Sequence, residues 1–188
     1  MYKLFGKRLL DIFIVFIAVV CLSPLMLIVA LLIKIVDPGP IIFKQSRVGK
    51  NGESFSFFKF RSMPVNTGDL ASDEVGKVKL TWIGKVIRRT NIDELPQLLN
   101  ILKGDMSIVG PRPPLRTQEE LLKIRKTNDS LFIRPGLTGL AQVNSFDGMT
   151  VSQKADFDGE YVKNITFFND VKIILNTVLY LFKPPPVY

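Results

Sequence analysis

The stretch TNIDELPQLLNILKGDMSIVGPRPP, Thr90–Pro114, decides how the rest of the chain is read. Leu95, Leu98, Leu99 and Leu102 recur at i, i+3, i+4 and i+7, which is one apolar face of a helix. Pro96 suits a first turn, where a missing N–H costs little, and Gly104 suits a stop. The spacing therefore predicts a helix that begins at Asp93-Glu94 and ends at Gly104. Two adjacent carboxylates would then sit beside free helix N–H groups, which favour an anion. Beyond Gly104, Pro111-Arg112-Pro113 holds an arginine between two prolines, in a loop with little freedom. A carboxylate facing a stiff arginine is a place to handle phosphate. An aspartate at a helix start is more often only a cap, so spacing alone leaves both readings open.

Composition narrows the chemistry. At 188 residues the chain is one domain with room for a real core. A formal charge of +8 calls for an acidic partner: nucleic acid, an anionic membrane surface or a phosphorylated substrate. There is no histidine, which excludes Ser-His-Asp and Cys-His nucleophile systems and His-bearing zinc sites. The one cysteine, Cys21, allows no intrachain disulfide and reads as a small apolar residue. No Walker lysine motif or Gly-rich dinucleotide fingerprint is present. A nucleophile here has to be a carboxylate, a hydroxyl, a lysine or Cys21.

Residues Ile12–Val36 carry no charge except Lys34. As a straight helix this run would be about 37 Å long, against a hydrocarbon core of about 30 Å. No small-residue cleavage site follows it, so a removed signal peptide is not expected. Ser23-Pro24 falls at its midpoint, where proline removes a hydrogen bond and bends the helix. Lys3, Lys7 and Arg8 precede the run; Lys34, Lys44, Arg47 and Lys50 follow it. Basic residues mark the cytoplasmic side, and here they flank both ends. A re-entrant helix-break-helix satisfies that rule, while a proline-kinked span remains the alternative. Lys7 and Asp11, four apart, are spaced to pair at the interface and hold the entry turn, though a surface pair contributes little.

The remaining elements read coarsely. Asp37-Pro38-Gly39-Pro40 ends the apolar helix. Residues 41–60, with a Gly52 turn and the alternating SFSFFKF, predict a short β-hairpin. Pro64 to Gly76 reads as a polar loop, Trp82 to Arg89 as a short basic helix, and Thr117 to Lys126 as a charged helix. Arg134 to Gly139 is breaker-rich, and Leu140 to Val143 is strand-like. Val171, Ile174, Leu175, Val178, Leu179 and Phe182 form a stripe at helical spacing, either core or a helix lying in a membrane surface. No repeat or linker divides the chain.

Together these motifs resemble a known family, the small monotopic phosphoglycosyl transferases, bacterial sugar transferases that start glycoconjugates on polyprenol phosphate. The resemblance covers nearly the whole chain. It is carried by Lys7-Arg8 with Asp11, Ser23-Pro24, Gln45-x-Arg47-x-Gly49, Lys59-Phe60-Arg61-Ser62-Met63, Asp93-Glu94-Leu95-Pro96-Gln97, Gly104-Asp105-Met106-Ser107, Val109-Gly110-Pro111-Arg112-Pro113, and Pro135-Gly136-Leu137-Thr138-Gly139 with Gln142-Val143. It implies an α+β fold: an N-terminal re-entrant membrane helix (1–36) on a small, mostly helical cytoplasmic catalytic domain (37–188) with a short β-hairpin and interfacial amphipathic helices. It implies transfer of a sugar 1-phosphate from a UDP-sugar to undecaprenyl phosphate with release of UMP, at the cytoplasmic face of the bacterial inner membrane, inserted in one leaflet. Asp93 matches the family's nucleophile and magnesium-proximal residue, and Glu94 its dyad partner. Ser23 and Pro24 match the membrane helix break.

Arg112 is the first candidate phosphate ligand, since an arginine fork held by prolines suits bidentate contact. Lys59, Arg61, Arg88 and Arg134 are further candidates for substrate phosphate or nucleotide. One departure stands out: where many relatives continue Gln-Val with Asn-Gly-Arg, this chain has Asn144-Ser145-Phe146-Asp147-Gly148. That removes one expected substrate contact and leaves the sugar unassigned. Two rival classes are a non-catalytic membrane scaffold, which gives the intact Asp93-Glu94 pair no purpose, and a nucleic-acid binder, for which no reading motif exists. No nucleic-acid partner is expected, inner-membrane lipid is, and self-association is left open.

Overall fold

A computed structural model of the chain describes residues 2–65, 80–145 and 148–181. Most of the expected Pro64–Gly76 loop, Phe146 and Asp147 of the departing segment, and the tail from Phe182 lie outside the described residues. The fold is mixed helix and strand, with a long apolar helix leading into a small domain.

A π-helical turn, Tyr2–Gly6, feeds α1, Lys7–Val36, which is long and apolar enough to cross a membrane by length and composition. Its exposure is uneven. Asp11, Val15, Val29 and Ile33, two near each end, are buried, whereas Phe13, Phe16, Val20, Leu27 and Leu31 stay exposed. Pro24 lies inside the helix and cannot donate, while the Ser23 hydroxyl donates to the Val20 carbonyl at 2.9 Å. The expected Lys7–Asp11 pair does not form. Lys7 instead donates to the buried Asp170 at 2.6 Å, and Asp11 accepts from the Ser107 hydroxyl at 2.8 Å and the Ile108 N–H at 3.0 Å. A buried carboxylate is better satisfied by two donors in the domain than by one lysine already engaged with Asp170.

The hairpin forms as expected, β1 (Ile42–Val48) antiparallel to β2 (Ser54–Phe60), with Phe43 opposite Lys59. The short basic helix is α2, Trp82–Arg89, capped by the Thr81 hydroxyl. Then come a 3₁₀ turn, Ile92–Glu94, and α3, Gln97–Lys103, stopped by Gly104 at φ +94°. Leu98 and Ile101 are buried and Leu95 and Leu102 pack beside them, but Leu99 is exposed, so the apolar face is narrower than its leucines suggest. Strand β3 (Ser107–Val109) runs parallel to β4 (Gly136–Thr138), inside the expected breaker loop. A Cβ on Gly136 would sit 2.1 Å from the Gly110 nitrogen, so these backbones meet only because glycine lines the crossing. Leu140–Val143 is the helical turn α5, not a strand. The rest is α4 (Glu119–Thr127), α6 (Val151–Lys163, with a Thr150–Gln153 capping box) and α7 (Phe167–Leu181). On α7 the core residue is Ile173, while Leu175, Val178 and Leu179 are exposed.

Two apolar clusters hold these elements. One joins Val15 of α1 to Phe57, Leu98, Ile101, Met106, Val109, Tyr161 and Ile173. The other joins Val29 and Ile33 of α1 to Phe60, Ile83 and Ile87. Leu95 packs against both, so the residue after Asp93-Glu94 sits where they meet.

Candidate active site

The carboxylate pair does not begin an α-helix. Asn91 adopts the left-handed region (φ 55°, ψ 15°), which asparagine tolerates better than most residues, and the chain then closes as a 3₁₀ turn. The Glu94 N–H donates to the Asn91 carbonyl and the Leu95 N–H to the Ile92 carbonyl, both at 3.1 Å. Pro96 has no N–H to give an i−4 carbonyl, which favours the tighter turn before α3 takes over at Gln97. Positive charge at the pair therefore comes from side-chain cations rather than from a helix end beside Asp93.

Those cations are placed by β2, α2 and the Pro-Arg-Pro segment. Lys59 Nζ lies 2.7 Å from Glu94 Oε1 and 3.5 Å from Asp93 Oδ2. Arg112 reaches the same Glu94 oxygen at 3.0 Å. Arg88 is near enough for its charge to bear on Asp93, and its NH1 is buried without a hydrogen-bond partner. Asn100, fully buried, locks β2 to α3: its Oδ1 accepts the Phe58 N–H at 3.1 Å, and its Nδ2 donates to the Ser56 carbonyl at 2.7 Å and to Asp105 at 3.1 Å. The strand carrying Lys59 is thereby fixed against the segment carrying Asp93.

The two carboxyls are tuned apart. Burial pushes the Asp93 carboxyl up, with Lys59 opposing it and the Glu94 charge adding to it. Burial also acts on Glu94, but Arg112 and then Lys59 outweigh it and hold that carboxyl well below the usual carboxylate range. Adjacent carboxyls with pKa values driven in opposite directions are a mark of a reaction site.

Of the expected site residues, Asp93, Glu94, Lys59, Arg88 and Arg112 converge. Arg61 and Arg134 take other partners. Arg61 is buried, donates to the Asp37 carbonyl and pairs with the Asp37 carboxylate at 3.3 Å, closing the end of α1. Arg134 Nε donates to the Gly104 carbonyl at 2.8 Å, and Arg8 donates to the Ile101 and Leu102 carbonyls at 2.6 and 2.9 Å. Both serve the far end of α3, where the last carbonyls lack helical partners. Ser23 and Pro24 remain within α1, in the stretch between its buried ends. Residues missed from sequence are Asn100, which falls within the expected helix, and the Arg125–Asp158 pair, of which only Arg125 falls in an expected element, the charged helix; their burial had no local signal.

The chain matches the family model described as bacterial sugar transferase over residues 2–184. It is 42% identical over 184 residues to a UDP-N-acetylgalactosamine-undecaprenyl-phosphate N-acetylgalactosaminephosphotransferase of Aeromonas hydrophila, covering 93% of this chain and 43% of that protein. It is 39% identical over 181 residues to a UDP-glucose:undecaprenyl-phosphate glucose-1-phosphate transferase of Caulobacter vibrioides, covering 92% and 68%. An exopolysaccharide production protein of Rhizobium leguminosarum is 41% identical over 188 residues, covering 92% and 93%. With the match running through the apolar helix, the hairpin and the carboxylate pair alike, the chain belongs to the bacterial sugar transferase family.

Proposed function

We propose that the protein transfers a sugar 1-phosphate from a UDP-sugar to undecaprenyl phosphate in two displacements at Asp93. The observation that carries this reading is the pairing of Asp93 and Glu94 inside a ring of Lys59, Arg88 and Arg112. Three cations against two carboxylates leave an excess positive charge where a diphosphate would lie. An Asp93 oxygen attacks the sugar-bearing phosphorus, the bond to the UMP oxygen breaks, and UMP leaves with that electron pair. The lipid phosphate oxygen then attacks the same phosphorus and releases Asp93. Splitting one exchange into two lets a soluble and a lipid substrate use one site in turn.

Glu94 enters this scheme as the holder of two cations before substrate arrives. Its carboxylate stays ionised while Arg112 and Lys59 face it. It becomes a competent proton acceptor for the lipid phosphate once a phosphate draws those cations away.

Magnesium is the cofactor the family implies. Among the described residues no cluster of three or more carboxylates or thiolates could cage a metal. Magnesium is usually held by one or two carboxylates together with substrate phosphate oxygens and water, and Asp93 supplies a hard oxygen of that kind. The donors fit an ion that arrives with the diphosphate, held by Asp93, and bound there it would offset diphosphate charge.

We also propose that α1 enters one leaflet from the cytoplasmic face of the inner membrane and returns. Support comes from Asp11 and Val15 at one end and Val29 and Ile33 at the other, all buried against the same domain. A helix crossing about 30 Å of hydrocarbon would carry one end away from that domain. The exposed Trp82 and Val86 of α2, and Phe168, Leu175 and Leu179 of α7, suit a lipid interface.

The test is single-turnover chemistry. With a UDP-sugar and magnesium but no lipid acceptor, the protein should release up to one UMP per active site and gain the mass of a phosphosugar. Asp93→Asn should do neither. An adduct that persists in Asp93→Asn, or none on the intact protein, would favour direct attack by the lipid phosphate.

A further inference from the structure

The segment Pro111–Pro114 contains three prolines, so its only backbone N–H belongs to Arg112. It is fixed instead through its carbonyls, and all four accept a hydrogen bond. Pro111 accepts from the Gly136 N–H and Pro114 from the Val48 N–H, each at 2.9 Å. The two in between are held by arginine side chains: Arg112 by Arg125 NH1 at 2.8 Å and Pro113 by Arg47 NH1 at 3.3 Å.

We propose that the buried Arg125–Asp158 pair is the positioning device that aims Arg112 at substrate phosphate. Arg125 is 4% exposed and Asp158 1%, so neither can touch a substrate. Arg125 Nε and NH2 both donate to Asp158 Oδ2, at 2.9 and 2.6 Å. Those two bonds orient the guanidinium, and its NH1 is delivered to the Arg112 carbonyl. That carbonyl is bonded to the Arg112 Cα, so its anchoring fixes the direction in which the Arg112 side chain leaves the backbone. The pair joins α4 to α6, neither of which supplies a residue to the Asp93-Glu94 cluster. A buried ion pair is poor evidence of stabilisation in itself, since apolar residues often pack as well. What an apolar pair would lose here is the third bond, the one that reaches the site.

The proposal rests on the reading of Arg112 as a phosphate clamp, and the test separates the two. The probe is UDP, which carries the diphosphate whatever the sugar, titrated with magnesium into the full chain in lipid nanodiscs. Arg125→Lys keeps a charge beside Asp158 but has no fork to reach both partners. It should weaken UDP binding about tenfold, the scale of one charge-assisted hydrogen bond. Arg112→Ala should weaken it by about tenfold or more, and the double variant should match Arg112→Ala within about twofold, because Arg125 acts only through Arg112. Losses that multiply in the double variant, or wild-type affinity in Arg125→Lys, would overturn the positioning role and leave the clamp standing. Wild-type affinity in Arg112→Ala, or no UDP binding by the wild type, would remove the clamp and the positioning role together. Asp158→Asn should repeat the pattern if Arg125→Lys does not fold.

Discussion

Lys59→Met isolates what a cation between the two carboxylates does for the reaction. Lys59 lies 3.5 Å from Asp93, and at an effective dielectric of about 20 that separation gives a gross attraction of about 5 kcal/mol. The lysine side chain is 21% exposed and keeps some water, so most of that gross figure is lost to solvation. Arg88 would still favour the ionised form. A net effect on the order of 1 kcal/mol remains. The sign follows from the site. Burial already raises the Asp93 carboxyl and Lys59 opposes the rise, so removing Lys59 raises it further. Attack requires the carboxylate, so activity in the variant should be lost at a higher pH as the solution is acidified. The acid limb of kcat/KM for UMP release, which reports the free enzyme, should move to higher pH, and Lys59→Arg should return most of the shift. A ratio of variant to wild type that stays constant across the acid and neutral range would refute the reasoning, leaving Lys59 as a phosphate contact and nothing more.

Arg112→Lys should be nearly as damaging as Arg112→Ala, lowering kcat/KM by roughly ten- to a hundredfold, because an ammonium cannot reproduce the fork; near-normal turnover would leave only a general charge effect. Asn100→Leu strands the Phe58 N–H and the Ser56 carbonyl and should cost about 2–4 kcal/mol in chemical denaturation, and Asn100→Asp should cost at least as much at neutral pH, because its second carboxylate oxygen would face the Ser56 carbonyl and the Asp105 carboxylate; wild-type stability in both would mean β2 is held some other way. In a Cys21→Ser background, cysteines at positions 3 and 50 should be equally protected from an impermeant thiol reagent outside whole cells. Labelling of one alone would sink the re-entrant reading.

Much of this fold was legible because its signals are local. The Gly52 turn and the alternation of Ser54 to Phe60 give the hairpin, the run Trp82 to Arg89 gives α2, and Gly104 gives the end of α3. The small parallel pair was not legible: β4 is three residues long and pairs through Gly136, whose lack of a side chain reads as a breaker. Leu140–Val143 is too short for periodicity to separate strand from helix. The cations divide for a deeper reason. A guanidinium suits a helix-end carbonyl as well as a phosphate, so motif proximity alone could not tell Arg61 and Arg134, which hold Asp37 and Gly104, from Arg88 and Arg112. That distinction depends on where long side chains reach across the fold, which no residue spacing encodes.

The placement of α1 bears on more than topology. Its first half supplies Val15 to the cluster beneath α3, its second half supplies Val29 and Ile33 to the cluster beneath β2 and α2, and Leu95 touches both. Asp11 holds the start of β3 through Ser107 and Ile108, and Arg8 holds the end of α3. The helix that would anchor the protein in lipid is therefore also part of the core on which Asp93 and Lys59 are mounted. Both ends of α1 pack into clusters shared with the residues beyond it, so the packing argues that the boundary between residues 36 and 37 does not divide two folding units. A site mounted this way stays in fixed register with the exposed faces of α1, so the depth to which α1 inserts would set the height at which a lipid-borne phosphate has to be presented to Asp93.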